Sequence, residues 1–144
     1  RIVLTARAQA LAMSGNLEEG VRLLRTQIAS REALHRGSPQ VADYARAYAI
    51  SLAMLADLYA DNRRSRDACP LYAQSRALFE NLASRGVLSE QDRASALRMV
   101  LEVEVQAGKS NRGRVCSCGP IRLARRPATR ALAHPALRRC GVVY

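Results

Sequence analysis

At 144 residues the chain is long enough for one domain with a self-sufficient core, which excludes a small fold that depends on its four cysteines as staples. Hydrophobic residues make up 49% of it, but one Phe, five Tyr and no Trp leave the core to Leu, Ala, Val and Ile, a composition of packed helices and an all-α fold. The net charge of +11 is not spread evenly: up to Glu104 fourteen basic residues face twelve acidic ones, whereas the remaining nine basic residues have no acid beside them, so the body is nearly neutral and the C-terminal stretch carries the excess.

Residues 1–107 divide into amphipathic helices with clear punctuation. In SGNLEEGVRLL, Gly15 terminates a first helix near Ser14, and Asn16 followed by Glu19 reads as a capping-box-like pair opening a second helix at Leu17. Val21, Leu24, Ile28 and Leu34 form its apolar stripe, with Arg22, Arg25, Arg31 and Glu32 toward solvent. HRGSPQ ends it, with Gly37 past the helix, Ser38 as the next cap and Pro39 in a first turn, where its missing N–H costs nothing. The spacing of Val41, Tyr44, Tyr48, Leu52, Leu55 and Tyr59 predicts a third helix over 40–61. Its most apolar window, 47–60, is interrupted by Ser51 and Asp57 and falls short of the roughly 20 residues a bilayer span requires.

After DNRRS, Ser65 is placed to cap a fourth helix to about residue 84, with Leu71, Tyr72, Leu78, Phe79 and Leu82 as its apolar set and Pro70 bending its first turns. Gly86 ends it, and Ser89 with Asp92 forms another capping-box-like pair opening a fifth helix, whose apolar positions are Leu97, Val100 and Leu101. The expected architecture is therefore five antiparallel helices joined by short turns.

Two of these helix pairs are related. Aligning LTARAQALAMSGNLEEGVRLL with LAMLADLYADNRRSRDACPLY sets Leu4 on Leu52, Ala8 on Ala56, Leu11 on Tyr59, Gly20 on Ala68 and Leu24 on Tyr72, each 48 residues apart. This pattern resembles the tetratricopeptide repeat (TPR), best in the second copy through Leu52, Leu55, Ala56, Tyr59, Ala68 and Tyr72. In the first copy Arg7 and Leu11 depart from it, and in a partial third copy Glu104 stands where an aromatic is expected. The spacing exceeds the usual 34 residues and is similar to extended-helix repeats of bacterial regulatory proteins, including regions that follow serine/threonine kinase domains.

The resemblance implies a TPR-like α-solenoid that binds a protein or peptide on a concave face lined by the first helix of each pair. The implied groove residues are Thr5, Gln9 and Met13, then Ala53, Asp57 and Asp61, then Arg98 and Glu102. Their balance favours a basic or apolar ligand, and the lysine and asparagine set by which some relatives clamp a C-terminal carboxylate is missing. With only about two and a half repeats, an unsealed fifth helix also offers a route to a homodimer.

The stretch from 108 to 144 invites sharper readings. QAGKS lacks the leading glycine of a phosphate loop, since Val103 stands there inside a helix. Cys116, Cys118, His134 and Cys140 are of zinc-binding types, but the one-residue gap between the first two does not match the usual ligand spacing. RLARRPATRALAHPALRR is attractive to phosphates, yet Pro127 and Pro135 break a continuous basic helix and no aromatic is interleaved for base stacking, so no specific nucleic-acid binding is expected. The abrupt loss of acids and of apolar period fits a disordered tail or one translated out of frame from a GC-rich gene. Such a gene also accounts for 22 arginines against one lysine.

The sequence thus reads as a non-enzymatic interaction scaffold with no cofactor or metal, and as a cytoplasmic piece of a larger bacterial protein, since the chain begins at Arg1 and shows no secretory signal. The alternatives are an accessory region of a serine/threonine kinase or other signalling enzyme, and nucleic-acid binding through the basic tail. No kinase glycine loop, catalytic Asp loop or Asp-Phe-Gly motif is present in these residues.

Overall fold

A computed structural model describes residues 2–110 and contains five α-helices: α1 (Ile2–Met13), α2 (Leu17–Gly37), α3 (Ala42–Asp61), α4 (Ser65–Ser84) and α5 (Glu90–Ser110). No strand occurs among the described residues. The readings that concern Cys116, Cys118, His134, Cys140 and the basic stretch lie outside them.

Consecutive helices pack against each other, and α3 also touches α1 and α5. The stack is therefore a row of first helices, α1, α3 and α5, interleaved with the second helices α2 and α4. Small residues set the spacing. Ala8, Ala49, Ala56, Ala68 and Ala73 are buried between helices, while Leu24, Leu55, Tyr72, Phe79 and Leu82 fill the volume around them. Gly20 marks a close approach of α1 and α2: a Cβ built on it would lie 2.6 Å from the carbonyl oxygen of Ala8.

The 48-residue register is present in the backbone as well as the sequence. The α1–α2 turn places Gly15 at φ +88°, and 48 residues later the α3–α4 turn places Arg63 at φ +60°. Gly15 N–H donates to the Ala12 carbonyl at 3.1 Å and Arg63 N–H to Ala60 at 3.0 Å. Asn16 N–H reaches back to Leu11 and Arg64 N–H to Tyr59, both at 2.8 Å. Glycine adopts the left-handed conformation without a steric penalty; the arginine does so against its preference, held by the same two bonds.

Several helix ends differ from the sequence expectation. Asn16 makes no side-chain cap, and its N–H donates to the Leu11 carbonyl rather than to Glu19, whose carboxylate pairs with Arg22. Ser38 closes α2 instead of opening α3, its N–H donating to Leu34 at 3.1 Å, and α3 starts after Val41. Arg64 precedes α4, and Ser65 is its first helical residue. The Ser89 and Asp92 pair forms as expected: Asp92 N–H donates to Ser89 Oγ at 3.1 Å and Ser89 N–H to the Asp92 carboxylate at 3.2 Å.

The apolar stripes shift at the two ends of the stack. Leu34, expected inward, is exposed, and Leu4 is exposed although its counterpart Leu52 is buried, because among the described residues no helix pair packs on the far side of α1. Among the described side chains of α5, Asp92 and Met99 are buried while Leu97 and Leu101 project outward; Val100 lies outside them.

Candidate functional site

Side chains at the junctions of α1, α3 and α5 set the polar character of that row. Between α1 and α3 the Thr5 hydroxyl donates to the Met54 sulfur at 3.5 Å. Between α3 and α5, Arg98 approaches Asp57 in a two-pronged arrangement, Nη1 to Oδ1 at 3.0 Å and Nη2 to Oδ2 at 3.2 Å. Tyr72 enters from α4 and donates its hydroxyl to the same Oδ1 at 2.5 Å. One carboxylate therefore joins three helices. Burial, then the bond to Asp57, pushes the Tyr72 phenol far above its ordinary range, so it remains a donor at any physiological pH. The Asp57 bond also raises the Arg98 guanidinium.

A second junction lies nearer the start of α5. Arg46 of α3 donates to the buried Asp92 at 2.7 Å and also pairs with Asp43. Asp92 meets opposing influences: burial pushes its carboxyl up, but hydrogen bonds from Arg46 and Ser89 together outweigh it and hold the group below the usual carboxylate range.

The eight residues expected along the groove thus fall into different roles. Gln9, Met13 and Asp61 are exposed on the row of first helices, and Met13 is 89% exposed. Thr5 is partly buried by its contact with Met54. Ala53 is buried in the core and presents no surface to a ligand. Asp57 and Arg98, expected as separate ligand contacts, engage each other, and Glu102 adds its charge beside Arg98 and Tyr72. The pairing spans 41 residues, and no local pattern signals it. Arg46 and Asp92 were missed for a different reason: Asp92 was legible as a cap, but its use as an interhelical ion pair was not.

Among the described residues no group of His, Cys, Asp and Glu is placed to hold a metal ion, and no helix is long and apolar enough to cross a membrane.

No protein-family model, curated protein or solved structure matches the chain. Over the described residues the fold is all-α, five helices with a 48-residue register shared by the α1–α2 and α3–α4 turns.

Proposed function

We propose that this chain is a helical-repeat scaffold of the TPR type, which binds a protein segment across the row formed by α1, α3 and α5. The observation that carries the reading is the 48-residue register, repeated in helix starts, turn hydrogen bonds and positive φ angles. Small residues at Ala8, Gly20, Ala56 and Ala68 support it, since they are the positions at which such repeats bring helices close. Of the expected groove residues Gln9, Met13, Asp61 and the Asp57-paired Arg98 are exposed, and the first three suit a segment carrying apolar groups and an occasional Lys or Arg.

The arginine-rich composition supports a bacterial source, and a cytoplasmic, non-enzymatic role goes with the scaffold reading. An accessory role beside a kinase or another signalling enzyme would use the same surface. Photo-crosslinkers at positions 9, 13 and 61 of the full chain test the proposal against crosslinkers at Arg22 and Arg36 on α2. Capture from the first set alone is the expected result. Equal capture from both sets, or capture that depends only on residues 111–144, overturns it, and the latter favours the basic tail.

A second reading, self-association through α5, is favoured by one observation. Leu97, Leu101 and Val105, spaced four apart, are 61%, 53% and 48% exposed and form an apolar ridge along the helix. Light scattering coupled to size exclusion tests it. A dimer that becomes monomeric when Leu97 and Leu101 are replaced by Glu supports it, and a monomeric parent chain removes it.

A further inference from the structure

We infer that His35, Arg85 and the turn over residues 38–41 form a pH-sensitive clasp between the first helix pair and the second. The clasp starts from Arg85, just past the end of α4, whose guanidinium reaches 46 and 45 residues back along the chain. Its Nη1 donates to the Pro39 carbonyl at 3.2 Å and its Nη2 to the Gln40 carbonyl at 2.5 Å. These carbonyls belong to the connection between α2 and α3, so one side chain ties the far end of the second pair to the joint between the pairs. His35 lies in the last turn of α2, partly buried, with its ring 6.0 Å from that of Tyr48 on α3.

The imidazole is poorly placed to accept a proton. Its Nδ1 atom is buried and has no hydrogen-bond partner, so protonation leaves a buried N–H without an acceptor, or a buried N–H already there without relief. The charged neighbours offer no compensation. Arg85 from α4 is the cation whose charge acts on the ring. On α2 itself Arg31 donates to the Ala47 carbonyl, and the carboxylate of Glu32 is engaged by Arg36 at 2.6 Å. From α3 the ring faces the neutral Tyr48, and the connecting residues 38–41 carry no charge. A cation is ordinarily welcome at a helix C-terminus, but the Leu34 carbonyl already accepts from Ser38 N–H at 3.1 Å.

Burial and, after it, the Arg85 charge accordingly hold the His35 imidazole below its ordinary value of 6.5. Opening the clasp exposes the ring to water and restores that value. The open form then binds the proton more tightly than the closed one, and closure is favoured at high pH. As pH falls below 6.5 the open fraction grows by up to about tenfold per pH unit, and levels off once the closed-state pKa is passed.

NMR on the full chain reads both halves of the claim. The His35 ring is titrated directly, with His134 assigned separately, and protection factors are measured for Ser38 N–H and Val41 N–H, which donate to the Leu34 and Ser38 carbonyls. The expected result is a His35 pKa below 6.5 and protection factors at both amides that fall by up to about tenfold per pH unit beneath it. In His35→Gln the protection should be flat over that range, and in Arg85→Gln the His35 pKa should rise. A His35 pKa at or above 6.5, or the same pH dependence in His35→Gln, overturns the inference. Should His35→Gln not fold, Arg85→Gln decides alone, and an unmoved His35 pKa there overturns it. This inference does not rest on the ligand-binding proposal.

Discussion

Replacing Gly20 with alanine probes the close approach of α1 and α2. The added Cβ would meet the Ala8 carbonyl oxygen at 2.6 Å, whereas ordinary contact begins near 3.4 Å, so α1 and α2 must separate locally by about 0.8 Å. Overpacking of this kind costs about 1–3 kcal/mol, and because the obstacle is backbone and cannot rotate away, the upper half of that range applies. Alanine recovers about 1 kcal/mol of helix propensity. The net expectation is a loss of about 1–2 kcal/mol, seen as a fall in melting temperature of about 4–8 °C. Gly37 supplies the control: it is helical too, but a Cβ there meets nothing within 4 Å, so Gly37→Ala should be neutral or slightly stabilising. Urea denaturation followed by circular dichroism compares the three proteins. A Gly20→Ala chain as stable as the parent would refute the helix spacing described for α1 and α2.

Asp57→Ala should cost about 1–3 kcal/mol, because it leaves Tyr72 and Arg98 without their shared acceptor, whereas Asp61→Ala should stay within about 0.5 kcal/mol; equal effects would contradict the three-helix junction. Asp92 is held below the ordinary value of 3.8, so the folded chain binds its proton less readily than the unfolded one, and stability present above 3.8 is lost as pH falls through the folded value. Asp92→Asn should therefore be less stable at neutral pH and show a shallower acid limb in chemical denaturation; parallel pH profiles would exclude the Arg46 pair as its source.

Local signals carried much of the fold. Gly15 and Gly86 marked helix ends, Ser89 and Asp92 formed the expected cap, and α4 ran over the anticipated 65–84 with Pro70 inside it. Capping failed where the backbone took another course: Asn16 N–H donates to the Leu11 carbonyl and Ser38 N–H to that of Leu34. The face of α5 was misread because Leu97 and Leu101 match a helical period as well as Met99 does, and only the position of α4 decides which points inward. The candidate site was legible to a lesser degree. Its helices follow from the repeat, but the pairing of Asp57 with Arg98 depends on how α5 lies across α3, which no spacing within either helix encodes.

The matched turns after α1 and α3 have a consequence for how this chain can change in length. Both turns are three residues long and closed by the same pair of backbone bonds, so excising residues 16–63 would join Gly15 directly to Arg64 and lead α1 into α4 through an equivalent connection. At the small position Ala68 would then stand where Gly20 stands now, and a Cβ there lies 2.6 Å from the Ala8 carbonyl oxygen, so glycine at 68 would keep the present spacing. Duplicating the same 48 residues would lengthen the stack by one pair without a new kind of joint. The length of this molecule is in that sense quantised in steps of one helix pair.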